Sequence, residues 1–175
     1  VVDFDFVAVV KQVPANVVGD GNSTIQQLVE KKNSEKRRGE PNQKNFTLYK
    51  VVIDETTTKL IAEKNYSLET IPRRDEIVYL QRDPFVRLGG DLVEVSERVH
   101  PDNILLFKNI ARFFDIRLVG IDFLVPDISH SWKSQHCAVL ELNSVPCIEL
   151  HHLPSSGTPQ NVANALVDLF FKYYL

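Results

Sequence analysis

The sequence predicts an α+β fold, mainly antiparallel sheet with flanking helices, and three observations lead there. Short runs rich in valine, isoleucine and phenylalanine are interspersed with helical stripes, without the strict alternation of a doubly wound parallel sheet. Two of these runs, 116–125 and 137–143, follow one another through a long loop, a link that suits an antiparallel pair. Turn clusters and prolines separate the remaining elements.

In chain order, 1–10 ("VVDFDFVAVV") is apolar and too short for a typical helix, so it is expected to be a strand. "GDGN" at 19–22 is a turn. Ser23 with Gln26 has the form of a capping box, opening a helix whose apolar stripe is Ile25, Leu28 and Val29 and which ends near Asn33. Residues 33–45 are polar, charged and hold Gly and Pro, so they read as a solvated loop. "LYKVVID" (48–54) is a strand and "TTTKLIAEKN" a short helix. Strands follow at 76–82 and 91–96, around the special backbone positions of "RDPFVRLGG". Pro101 suits the first turn of a helix with Ile104, Leu105, Ile110, Phe113 and Phe114 as its apolar set. After the two strands at 116–125 and 137–143, Thr158 caps and Pro159 opens a last helix carrying Val162, Leu166, Leu169, Phe170 and Tyr173. No internal repeat is present.

The 175 residues fit a single domain, 43% hydrophobic and 25% charged, as in a globular protein. A net charge of −3 gives no electrostatic case for nucleic acid or an anionic membrane. No apolar run is long enough to cross a bilayer, and no signal-peptide pattern opens the chain. Two cysteines, Cys137 and Cys147, make no disulfide framework, which sets a reducing cytoplasm as the expected location. The first residue is not methionine and the sequence has none, so it reads as a piece of a longer protein.

One stretch carries candidate chemistry. In "VLELNSVPCIEL" (139–150), Glu141 and Asn143 stand two apart and so share a strand face. If 116–125 pairs with 137–143, Asp122 lies near both. Two carboxylates and an amide oxygen form an all-oxygen ligand set, which suits Mg²⁺ completed by phosphates and waters. The alternative is that Glu141 and Asn143 simply face solvent on a half-exposed strand.

A set of motifs runs in one order across nearly the whole chain: "VPANVVGDGNSTIQQLVEKKN", "RRGE", "LETIP", "EIVYLQR", "LGGD", "VHPDN", "VGIDFLVPDIS", "VLELN" and "PSSGTPQNVANALVD". In order and spacing it resembles the C-terminal part of the ATP-grasp carboxylate–amine ligases, in particular the cyanophycin synthetase type and the glutathione synthetase domain of bifunctional bacterial enzymes. The resemblance implies a C-terminal ATP-grasp subdomain, with residues 14–75 a family-type insertion and 76–175 a metal-binding core. It implies Asp122, Glu141 and Asn143 as ligands of two Mg²⁺ ions on ATP, and Arg82 as a catalytic, phosphate-binding arginine. The implied reaction is ATP-dependent amide formation between amino acid or peptide substrates through an acyl-phosphate. A full-length homo-oligomer would fit. The lid that holds ATP lies upstream in these enzymes, so the isolated chain is expected to show no ATP-dependent ligation with any amino acid pair. Detectable turnover in a phosphate-release assay would overturn that expectation.

Two loops depart from the family pattern. Relatives usually read "R-x-x-N-x-S-T-G-G" where this chain has "RDPFVRLGG", so Phe85, Arg87 and Leu88 replace asparagine, serine and threonine. Relatives usually read "E-x-N-x-x-P-G" where Cys147 stands here, and Glu149 adds a charge. Those changes fit altered substrate choice, or a catalytically degenerate domain with a binding or regulatory role; glutathione synthetase-like specificity is a separate alternative that the resemblance leaves open.

Other residues invite bland readings. His151 and His152 are adjacent, with His130 and His136 nearby, but no zinc-ligand spacing occurs and neighbours on an extended chain point apart. Cys147 lacks an orienting base and reads as an ordinary thiol. "GDG" before a helix is either a phosphate seat or a tight turn, and Asp20 would oppose an anion. Trp132 reads as an exposed loop residue that could border the site, and "EKRRGE" as a solvated loop.

Overall fold

A computed structural model describes residues 1–174. The elements are β1 (Val10–Val13), β2 (Asn16–Val18), α1 (Ile25–Asn33), β3 (Arg38–Gly39), β4 (Leu48–Tyr49), α2 (Glu55–Ala62), β5 (Ile77–Tyr79) and β6 (Asp91–Glu94). They continue with α3 (Pro101–Phe113), β7 (Gly120–Leu124), β8 (Ala138–Asn143), α4 (Glu149–His152) and α5 (Val162–Tyr174). The fold is α+β, as expected: the strands form two-stranded sheets, β2 with β5 and β7 with β8 antiparallel, and β3 with β4 parallel. Two compact units result, Lys11–Val93 and the combination of Val1–Val10 with Glu94–Leu175. No helix among the described residues is long and apolar enough to cross a membrane.

The Lys11–Val93 unit is built around one apolar cluster. Val17 and Val78 are register partners in β2 and β5 and both turn inward, while Val18 and Ile77 turn out. Ile25, Leu28 and Val29 of α1 and Ile61 of α2 close over them, with Leu80 fully buried beside them. The stripe predicted for α1 is the stripe it buries. Its capping box sits one residue later than expected: Thr24 accepts from the Gln27 amide and the Gln27 side chain accepts from Thr24. The reason is local, because the Ser23 hydroxyl is already engaged by Asp20 Oδ2 at 2.8 Å. The expected solvated loop 33–45 contains β3, and Arg38 in it is buried, its guanidinium paired with Asp91 and donating to Tyr49 O at 2.9 Å. Of the strand expected over 48–54, Leu48–Tyr49 is ladder-bonded.

The unit holding Glu94–Leu175 gathers Val2, Val162 and Leu169 into a core, with Phe6, Leu118, Ile148 and Leu166 against it. The first residues are not the continuous strand expected. Val2 bridges to Phe6 and to Leu118, and Asp3 and Phe4 turn through φ of 46° and 61°. The Asp3 carboxylate rewards that turn with ion pairs to Arg117 and Lys172. Pro101 does open α3, yet the buried stripe is Asn103, Phe107 and Ala111. Leu105, Phe113 and Phe114 are exposed. Apolar residues surround α3, so their spacing alone cannot choose its inner face. In α5 the helix starts at Val162, after Pro159, because Asn161 Oδ1 takes the Asn164 amide and His152 Nε2 takes the Ala163 amide.

Candidate metal site

β7 and β8 pair antiparallel with Asp122 opposite Glu141 and Gly120 opposite Asn143. The ladder slips between Asp122 and Phe123, where the partner jumps from Glu141 to Val139, so Leu140 is a bulge residue and is exposed. Direct opposition and the two-residue period put Asp122, Glu141 and Asn143 on one face. Gly120 keeps that face open. A Cβ there would stand 3.0 Å from Pro146 Cβ and 3.4 Å from Asn143 Cβ.

The three side chains form one polar group at the surface. Asn143 Nδ2 donates to Glu141 Oε1 at 2.8 Å, which keeps Asn143 Oδ1 available to a cation. Burial, then the Glu141 charge and a hydrogen bond with Glu141, push the Asp122 carboxyl above its usual value. The Glu141 charge faces Asp122 at close range, and a hard cation between them relieves that repulsion. All three residues are exposed, which both the ligand reading and the solvent-facing alternative accommodate. Among the described residues no group of three or more His, Cys, Asp or Glu could hold a metal. The set here is two carboxylates and an amide, all-oxygen chemistry that fits Mg²⁺ when ligands from outside the chain complete it.

Arg82 lies in the Lys11–Val93 unit, exposed, on the segment after β5, and pairs with Glu63 at 2.5 Å. Beyond it, Val86–Leu88 forms a single 3₁₀ turn that ends at Gly89, whose φ is 89°. A Cβ on Gly89 would approach Val51 Cα to 2.5 Å, so backbone and space both demand glycine. Phe85 is exposed, and the Arg87 guanidinium lies over the Tyr49 ring at 5.5 Å. Arg87 is thus committed to a cation–π contact.

The second departing loop closes on itself. Cys147 Sγ donates to Glu149 Oε2 at 2.8 Å, and burial together with Glu149 pushes the thiol above its usual pKa. A raised thiol pKa makes a poor nucleophile at neutral pH, as expected for an ordinary thiol. The histidines do not converge. His151 Nδ1 lies 3.5 Å from the buried Glu94 carboxylate, while His152 caps α5. His130 pairs with Asp127. At "GDG", Asp20 Oδ1 accepts the Asn22 and Ser23 amides, which hold its carboxyl down to about 2. The turn is satisfied by its own anion, so a phosphate has no place there. The Trp132 backbone amide donates to Asn103 Oδ1, and the residue is half-buried where an exposed loop residue was expected.

Two important residues escaped the sequence reading. Arg38 sits in a charged run that looks solvated, and the only hint is that oppositely charged "RRGE" and "LGGD" occur in the same ordered motif set. Asn103 had no sequence signal beyond its place in "VHPDN".

No protein-family model matches the chain. It is 34% identical to a cyanophycin synthetase of Trichormus variabilis over 171 residues, 98% of this chain and 19% of that protein. It is also 34% identical to the glutathione biosynthesis bifunctional protein GshAB of Listeria innocua over 169 residues, 94% of this chain and 21% of that one. Among solved structures, a bifunctional glutathione synthetase from Pasteurella multocida superposes with a TM-score of 0.88 at 26% identity, covering 98% of this chain and 24% of that one. The chain therefore spans about a fifth of the length of the curated relatives it matches. In sequence and in fold, it is a homologue of a segment of these cyanophycin and glutathione synthetases.

Proposed function

We propose that the chain is part of an ATP-dependent carboxylate–amine ligase of the cyanophycin synthetase type, with Asp122, Glu141 and Asn143 as its Mg²⁺ ligands. The observation that carries this is the direct opposition of Asp122 and Glu141, with Asn143 bonded to Glu141. Bound Mg²⁺ would neutralise ATP phosphate charge and so ease attack by a substrate carboxylate. The chain's own part is to present a fixed pair of carboxylates and an amide oxygen on one strand face. Arg82 is assigned to grip phosphate and acyl-phosphate oxygens, for which a guanidinium fork is suited. Acidic residues outnumber basic ones in the unit of Val1–Val10 and Glu94–Leu175, which favours cation capture. Amino acids or peptides are the proposed substrates, in the cytoplasm. A glutathione synthetase-like acceptor is the second reading, favoured by the Pasteurella multocida structure. It is separable by testing which amine is consumed.

Mn²⁺ serves as a paramagnetic probe of the Mg²⁺ site. In ¹H–¹⁵N spectra it is expected to broaden the amides around 120–122 and 141–143 first. Asp122→Asn and Glu141→Gln are each expected to weaken that binding by about tenfold or more, a loss of ~1.4 kcal/mol. Equal broadening in wild type and both variants would sink the assignment.

A further inference from the structure

The register that opposes Asp122 to Glu141 is not set by a tight turn. β7 ends at Leu124 and β8 begins at Ala138, so a long loop intervenes. Short hairpin turns dictate register, and long loops do not. Burial also specifies it weakly, since Leu124, Val139 and Leu140 are all exposed. A slip of one residue would send Glu141 to the opposite face.

What the loop does have is Asn103. This side chain is fully buried, on the first turn of α3, and both its amide donors and its oxygen bond loop backbone. Nδ2 donates to Ile128 O and His130 O, each at 2.9 Å, and Oδ1 accepts from the Trp132 amide at 2.8 Å. The Gln135 side chain then closes the loop base, donating to Asp127 O at 2.7 Å and accepting from the Asp127 amide at 3.1 Å. One helical turn along the same face, Phe107 packs edge-on against Phe123 of β7, with ring centroids 5.2 Å apart. Phe123 is the residue after Asp122, at the slip in the ladder. A single face of α3 thus grips both β7 and the loop that delivers β8.

We infer that Asn103 is a positioning residue: it fixes the 126–136 loop on α3 so that β7 and β8 meet with Asp122 facing Glu141. Its consequence for metal binding rests on the ligase reading above, whereas its consequence for strand register does not.

Two substitutions test this in the 175-residue chain, each read by cross-strand NOEs between residues 122 and 141 without metal and by Mn²⁺ affinity. Asn103→Ala removes all three bonds. Trp132→Pro removes one from the loop side and leaves α3 untouched, and Ser131 already has the extended backbone that a following proline requires. Trp132→Ala, which keeps the amide, is its control. Supporting partners of a metal ligand are worth roughly 10–100-fold in affinity. Asn103→Ala is therefore expected to weaken Mn²⁺ about tenfold, and Trp132→Pro severalfold relative to Trp132→Ala, with the NOEs lost or weakened in both. Folded variants that keep both the NOEs and the Mn²⁺ affinity overturn the inference. If Asn103→Ala does not fold, the Trp132 comparison decides by the same criteria. If wild type binds no Mn²⁺, the ligase reading fails, and the NOEs alone support or overturn the positioning role.

Discussion

Asp91→Asn is expected to cost about 3–5 kcal/mol of stability, the penalty for removing one partner from a buried ionic group. Asp91 bonds two cations in the Lys11–Val93 unit, the buried Arg38 and the half-buried Lys32. Its Oδ2 lies 2.6 Å from Lys32 Nζ and its Oδ1 takes the Arg38 guanidinium. Side-chain exposure is 14% for Lys32, 1% for Arg38 and 17% for Asp91, so water replaces the lost charge only in part. Arg38 Nε is already buried without a hydrogen bond, with Glu35 Oε2 at 3.4 Å. The isosteric asparagine keeps the shape and leaves two cations facing each other. Urea unfolding followed by far-UV circular dichroism, with amide exchange to assign the transition to this unit, measures the loss. A cost under about 1 kcal/mol would show that the network is not a charge-balanced anchor.

The same network sets a pH dependence. Burial alone would raise the Asp91 carboxyl, but Lys32 and Arg38 outweigh it and hold the carboxyl below its usual value. A depressed carboxyl contributes stability above its unfolded pKa and loses it as pH falls through the folded one. Wild type should therefore weaken in acid, below about pH 4, more than Asp91→Asn does. Asp122 has the opposite sign. Its raised carboxyl favours folding below the unfolded pKa, and that contribution is lost as pH rises through the folded one.

Leu80→Ala is expected to cost about 2–5 kcal/mol, from lost transfer energy plus the cavity left behind. Leu80 is fully buried and shares its cluster with Ala15, Ile25, Ile61 and Val78, which come from four separate segments. Its amide is also tied to Ala15 O at 2.7 Å, so the backbone cannot readily move in to fill the space. The check is a lower urea midpoint at unchanged slope. A loss under about 1 kcal/mol would mean that the cluster collapses around the alanine.

Legibility followed the range of the interactions. The stripe of α1 was readable because polar residues flank Ile25, Leu28 and Val29. The face of α3 was not, because apolar residues surround it and its innermost residue is the polar Asn103. The cap of α1 moved from Ser23 to Thr24 because Asp20, three residues upstream, competes for the serine hydroxyl. The start 1–10 looked like a strand by composition. Its turn depends on Arg117 and Lys172, more than a hundred residues away.

The candidate site divides along the same line. By itself, the sequence determined the residue types: Glu141 and Asn143 two apart on one strand face, and Asp122 in an apolar run able to pair with it. Side-chain alternation is a local property of a strand, which is why that much could be read. Only the tertiary structure decided that Asp122 faces Glu141, that the ladder slips after Asp122, and that Arg38 is buried against Asp91. Register and burial are fixed by partners distant in sequence, here the grip of α3 on Phe123 and on the 126–136 loop, and no local pattern encodes them.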